Sequence, residues 1–268
     1  MLVTDRLIFL ELQKSGSTHV RALLQIVLGG HGNERHNPIT PELLAQGLPR
    51  LGGTRSPWDW YVSLFCFGCE ERGPLQNRLR RQAERGRRGA RGLRHATGQQ
   101  GQRSQFASRF TPDEWFENAA DVEHFRDWLR ALLDPAHALL VNRGYAMSGY
   151  APIGGLMTYR YCRLFLRDSG DLPGWVGGTE TLHAHARGSF LLHYQIEQAR
   201  LLDDLLDVLR ALRVPLTEEQ LQAMRALRPQ NTSTRPLPVA AYYDDETRAL
   251  VGQRERFIAE RHGYTPPA

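Results

Sequence analysis

Apolar and polar positions along the chain fall into blocks with two different periods, and the order of those blocks predicts the fold class. The N-terminal run MLVTDRLIFLEL is nearly continuous in apolar residues over 6–12 (RLIFLEL), as expected of a strand buried on both faces. After a short Gly loop, THVRALLQIVL (18–28) changes to helical spacing. Residues 29–49 are loop with a short helical piece at PELLAQGL. GGTR then marks a weak strand end, and PWDWYVSLFCF follows with Pro57 suited to a first helical position. Thr111, with Glu114 three residues on, opens a helix through TPDEWFENAADVEHFRDWLRALL. HALLV (137–141) reads as a further strand and WVGGTE as the end of another. ARLLDDLLDVLRALRV is a strongly periodic helix, and DDETRALVGQRERFIAERHGY is a polar-faced C-terminal one. Strands alternating with helices predict an α/β fold, with a central parallel sheet flanked by helices. No repeat and no Pro/Ser-rich linker divides the chain, so one domain over 1–268 is expected.

Composition narrows the class. Hydrophobic residues at 41% and charged residues at 24% are ordinary for a globular chain, and no apolar run is long enough for a spanning helix. The N-terminal run carries Asp5, Arg6 and Glu11 and leads into the Gly loop rather than a cleavage site, so it reads as a core strand and the protein as cytoplasmic. Cys66, Cys69 and Cys162 are too few for a disulfide framework and read as structural thiols. The net charge of +5 is local: Arg78–Arg103 alone carries nine Arg and one Glu, so the rest of the chain is net acidic. That segment has little apolar surface to bury, and an exposed Arg-rich insertion at about 75–105 is expected. Its partner would be an acidic acceptor or an anionic surface. No aromatics interleave with its arginines, which argues against specific single-strand nucleic-acid binding.

Of the 34 Lys and Arg residues only Lys14 is a lysine, and it lies in QKSGST between the first strand and the first helix. Arg is a broad planar fork, whereas Lys is a compact point charge suited to a narrow space beside a phosphate. A strand, a Gly-containing turn and a helix start gather backbone N–H groups and the positive end of a helix dipole around one small cavity. Lys14 would point into it, with hydroxyl donors from Ser15, Ser17 and Thr18. The nucleotide-triphosphatase loop G-x-x-x-x-G-K-[ST] is not met, because Lys14 precedes Gly16. A second constellation is TRSPWDWYVSL, in which Arg55 ends a strand and Ser63, eight residues later, lies two turns into the helix begun by Pro57. Arg and Ser so placed can grip one further phosphate.

Together these stretches resemble the P-loop-like sulfotransferase family that uses 3′-phosphoadenosine 5′-phosphosulfate (PAPS), in its bacterial and glycan-type members. QKSGST is similar to the family's 5′-phosphosulfate loop, with Gln13 where proline is usual, and TRSPWDWYVSL is similar to its 3′-phosphate motif. GGLMTYRYCRLF (154–165) and the C-terminal NTSTRPLPVAAYYDDETRALVGQRERFIAERHGY extend the likeness. It leaves 75–110 and about 181–200 uncovered. It departs from the family at the Gly-rich RLGGT before Arg55, where a short or frayed strand is expected, and at Gly178–Thr179 before Glu180. The resemblance implies a P-loop NTPase-like fold and PAPS as cofactor, with no metal. It implies binding of the 5′-phosphosulfate by Lys14, Ser15, Gly16, Ser17 and Thr18, and of the 3′-phosphate by Arg55 and Ser63. The acceptor would be a hydroxyl on a glycan, lipid, peptide or small molecule.

Sulfuryl transfer needs a cation at the leaving phosphate, for which Lys14 fits, and a group that takes the acceptor proton. GGHGNERHNPITPEL lies between the two motifs and offers His31, Glu34 and His36. The family's basic residue followed by His in this region matches Arg35 and His36, which makes His36 the expected base, ahead of Glu34 and His31. His183, His185 and His193 have no acidic residue to complete a metal site and read as surface or acceptor-pocket residues. The other function classes are a P-loop kinase or nucleotide-triphosphatase, and an Arg-rich nucleic-acid or membrane adaptor. The adaptor leaves both phosphate motifs unexplained.

Overall fold

The computed structural model describes residues 1–32, 35–81, 112–167 and 177–268. Most of the Arg-rich insertion, the Thr111 cap and Glu34 lie outside them. The chain is α/β, with an open five-stranded sheet. Its described residues gather into two compact units, one within Met1–Ser56, 157–167 and Gly177–Thr232, the other within Pro57–Leu156 and Ser233–Ala268. Among the described residues no helix is long and apolar enough to cross a membrane.

The first unit holds the sheet. Its strands are β1 (Leu2–Val3), β2 (Ile8–Leu10), β3 (His31–Gly32), β4 (Arg50–Thr54) and β5 (Tyr194–Glu197), in the order β3-β1-β2-β4-β5. Parallel pairing runs through β2, β4 and β5, whereas β1 is antiparallel to both neighbours, so the sheet is mixed rather than wholly parallel. The cause is a turn inside the N-terminal apolar run. Thr4 Oγ1 accepts from the backbone N–H groups of Arg6 and Leu7, and Thr4 N–H donates to the Leu7 carbonyl, folding 1–10 into two strands. Helix α1 (Ser17–Leu28) packs Val20, Leu23 and Leu24 into one core with Phe9, Leu51 and Ile196. Helix Leu201–Ala211 closes that core through Leu205, Val208 and Leu209, as its periodicity predicts. The short α2 (Pro41–Ala45) is capped by the Thr40 hydroxyl.

The Gly-rich RLGGT forms a full strand, β4, not a frayed end, and pairs on both edges. Both glycines are required by close neighbours rather than by backbone freedom. A Cβ on Gly52 would stand 2.5 Å from Leu192 Cδ1 and 2.9 Å from the buried Phe165 ring. One on Gly53 would stand 3.1 Å from Ser15 Oγ.

The second unit is helical, built on α3 (Pro57–Cys69), which begins at Pro57 as expected. Its centre is aromatic: Phe65 lies 5.3 Å from both Phe125 and Trp128 between ring centroids, and Phe125 meets Tyr242 and Tyr243 at 5.1 Å. The helix expected over 111–133 is two, Pro112–Trp115 and Val122–Leu133, the second capped by Asp121. HALLV is helical rather than a strand. Asp134 caps a 3₁₀ turn at Pro135–His137 that runs into helix Ala138–Val141. A short apolar run does not tell a strand from a buried helical turn, and the Asp-Pro cap decides it. In WVGGTE the Trp and Val fall outside the described residues, and Thr179 starts helix Thr179–Ser189 rather than ending a strand. The C-terminal helix breaks into Asp245–Arg254 and Arg256–His262 at Glu255, whose buried carboxylate accepts from the Tyr61 hydroxyl.

Gly52→Ala places a methyl against Leu192 and the buried Phe165 ring. It is expected to lower stability by about 1–3 kcal/mol, as other overpacking substitutions do. The urea midpoint checks this, and an unchanged midpoint contradicts the packing described for β4.

Candidate functional site

The loop between β2 and α1 is shaped by two left-handed residues. Lys14 has φ +62° and Gly16 φ +77°. The conformation costs a lysine about 1–3 kcal/mol, so surrounding contacts must hold it. Arg55, 5% exposed, does so from β4's end by donating from Nη1 to the Lys14 carbonyl at 2.8 Å. Gly16 is the N-cap of α1, and a Cβ there would stand 2.6 Å from Leu201 Cδ1. Ser15 donates its hydroxyl to the Leu12 carbonyl at 2.9 Å and rests on Gly53. That hydroxyl shapes the loop, leaving Ser15's N–H as the group it can offer an anion.

Helix α1 starts without a side-chain cap and without an acidic residue in its first turn. Its first N–H groups, at Ser17 and Thr18, have no intrahelical acceptor, and the positive end of its dipole is not neutralised locally. The Thr18 hydroxyl oxygen accepts from Arg35 Nη2 at 3.1 Å and from Asn231 Nδ2 at 3.4 Å. A hydroxyl has two acceptor lone pairs and one proton. With both lone pairs engaged, Thr18 can only donate to a newcomer. Asn231 is itself left-handed, at φ +56°.

One carboxylate organises the rest. Glu11, 1% exposed at the end of β2's run, receives Arg21 of α1 through Nε at 3.0 Å and through Nη2, and Arg35 through Nε and Nη2 at 3.2 Å each. The Met1 amino nitrogen lies 3.0 Å from it as well. Burial by itself would push this carboxyl up, but the hydrogen bonds from Arg21 and the amino group prevail and hold it at about 2. Gly32 of β3 lies against the same Arg21, whose Nη1 would be 2.2 Å from an added Cβ.

His36, at φ +62°, lies 2.8 Å through Nδ1 from the Glu11 backbone carbonyl. A carbonyl only accepts, so Nδ1 carries the proton and Nε2 is the basic nitrogen. Burial, with Arg35 and Arg160 nearby, pushes the imidazole below its usual 6.5 against the pull of Glu11, keeping it neutral near pH 7. His31 is exposed in β3. His193 accepts the Arg50 N–H through Nδ1 at 3.0 Å, while His183 and His185 lie two apart on helix Thr179–Ser189.

Comparison of the chain with family models, with curated proteins and with solved structures gives no match. What the site can do rests on its own geometry. The first unit brings Lys14, Ser15, Gly16, Ser17, Thr18, Arg55 and His36 around one helix start. Ser63 belongs to the second unit, where it is buried in α3. Cys66 and Cys69 also lie on α3, and burial pushes both thiols up, Cys69 to about 12, which suits unreactive structural thiols. Sequence reasoning missed Glu11 and Asn231. The one signal for Glu11 was an acid at the end of an apolar strand.

The depressed Glu11 carboxyl sets a pH dependence. Its stabilisation is complete above its ordinary 4.5 and is lost as pH falls toward about 2. At neutral pH the shift corresponds to roughly 3 kcal/mol. Glu11→Gln is expected to lower neutral-pH stability by about that amount and to flatten the acid limb. Urea midpoints taken from neutral pH down to about pH 2 test this, and an unchanged acid limb contradicts it.

Proposed function

We propose that this protein is a PAPS-dependent sulfotransferase, and that its first unit has the P-loop NTPase-like arrangement its motifs resemble. The observation that carries the reading is the pairing of an uncapped, acid-free helix start beside Lys14 with a neutral histidine whose basic nitrogen is fixed by the same strand end. A helix start of this kind favours an anion, and a neutral histidine nearby favours proton acceptance.

The donor supplies an activated sulfuryl group. The acceptor oxygen bonds to sulfur while the sulfur–oxygen bond to the 5′-phosphate breaks, leaving that electron pair on the phosphate and the hydroxyl proton on His36 Nε2. Lys14 and the first N–H groups of α1 stabilise the charge that develops on the departing phosphate. Thr18 donates its remaining proton to the same oxygens. Arg55 has two roles, holding the Lys14 carbonyl through Nη1 and supplying positive charge to the 3′-phosphate. The acceptor is a hydroxyl compound, and the Arg-rich segment would draw an acidic one or an anionic surface by long-range attraction.

Thermal shift with 3′-phosphoadenosine 5′-phosphate, ATP with Mg²⁺, and RNA as separate ligands tests this reading. Stabilisation by the bisphosphate and not by the others is expected, whereas stabilisation by ATP alone selects a nucleotide kinase or triphosphatase. Arg55→Ala should weaken both the bisphosphate and adenosine 5′-phosphosulfate by loosening the Lys14 loop, and the bisphosphate by a further roughly ten- to a hundredfold, the loss of one charge-assisted contact. Equal losses in calorimetry contradict the 3′-phosphate role. Lys14→Arg should lose sulfuryl transfer nearly as fully as Lys14→Ala, since a planar fork does not replace a point charge in a tight loop. Near-normal turnover by Lys14→Arg contradicts the role given to the single lysine.

A further inference from the structure

Arg35 touches both halves of the proposed chemistry. Its guanidinium reaches the Glu11 carboxylate through two nitrogens at 3.2 Å and the Thr18 hydroxyl at 3.1 Å. The next residue, His36, is one of five non-glycine residues with positive φ among those described. Such a conformation persists only where neighbours over-determine it. For His36 the neighbours are two bonds to one residue: its own Nδ1–H to the Glu11 carbonyl, and Arg35 to the Glu11 carboxylate. Arg35 is 40% exposed, so its role is not core packing.

We infer that Arg35 is a positioning residue: by bridging Glu11 and the Thr18 hydroxyl it locks His36 in its left-handed conformation and ties the basic nitrogen to the state of the anion site at the start of α1. This deepens the sulfotransferase reading and rests on it for the identity of the anion. An anion that accepts a hydrogen bond from the Thr18 hydroxyl strengthens that oxygen as an acceptor, and so tightens its bond from Arg35. The bridge thereby carries donor binding to the base. Among the described residues, the charged groups facing His36 are Glu11 at the end of β2's run, Arg35 on its own loop and Arg160 on helix Leu156–Phe165. Arg21 of α1 reaches it through Glu11.

Histidine-labelled NMR on the whole chain tests this without an acceptor, the His36 signal being assigned by its loss in His36→Gln. The wild type is expected to show the Nδ1–H tautomer with a midpoint below 6.5. Arg35→Lys keeps the charge but loses the planar fork that grips the Glu11 carboxylate through Nε and Nη2 while Nη2 also holds Thr18. It should lose the single tautomer, and the midpoint should rise by about half a unit or more as the ring gains solvent. Arg35→Ala should do the same, and 3′-phosphoadenosine 5′-phosphate should shift the His36 signal in the wild type and not in either variant. A wild-type tautomer and midpoint in Arg35→Lys overturns the inference, as does an equal nucleotide response in all three proteins. If Arg35→Ala does not fold, Thr18→Val removes the other end of the bridge and should uncouple the nucleotide response. If the nucleotide gives no thermal shift with the wild type, the sulfotransferase reading falls, and the ligand-free spectra still decide whether Arg35 holds His36.

Discussion

The buried carboxylate of Glu11 is the interaction on which the arrangement of the first unit depends. It ends the strand run that leads into the Lys14 loop, and it draws together α1 through Arg21 and the Arg35–His36 turn through Arg35. Its own backbone carbonyl fixes the His36 ring. A buried charge with several donors is worth keeping only as a complete set, because removing one partner leaves the others uncompensated in a low-dielectric setting. The geometry of strand, helix and loop is thus specified together, and a change to any one of the three is felt at the other two.

Around this centre the chain accepts local backbone strain. Lys14, His36 and Asn231 are left-handed without being glycine, and two further residues, Glu71 and Arg213, lie elsewhere. Lys14 and Asn231 meet the start of α1, the first through its own loop and the second through the Thr18 hydroxyl, and His36 is tied to the Glu11 carbonyl at the strand end that leads into that loop. Each is tied by a partner that a relaxed conformation would lose. Concentration of strain at one helix start is the pattern expected of a site whose side chains must be held for a ligand rather than for packing.

The two glycines of β4 show the same economy in the sheet. RLGGT lacks the apolar side chains of an ordinary central strand, yet β4 pairs along both edges. Gly52 admits the Phe165 ring, and Gly53 lets the Ser15 turn sit directly on the strand. The loop can therefore approach the sheet closely enough for Arg55 to reach the Lys14 carbonyl.

Features set within a few residues were legible in the sequence. Pro57 at a helix start and the 201–211 helix each depend on local sterics or local periodicity. The α/β class followed from the order of such elements. Only the tertiary structure decided the features whose partners lie far apart in the chain. β5 is a strand because β4 offers it a parallel edge, and its sequence YQIE carries little periodic signal of its own. The C-terminal helix breaks where Glu255 turns inward to Tyr61, 194 positions away. His36 could be named from the family resemblance at Arg35 and His36, but its basic nitrogen was fixed by a carbonyl 25 residues earlier, a contact that appears only when the strand and the loop are folded together.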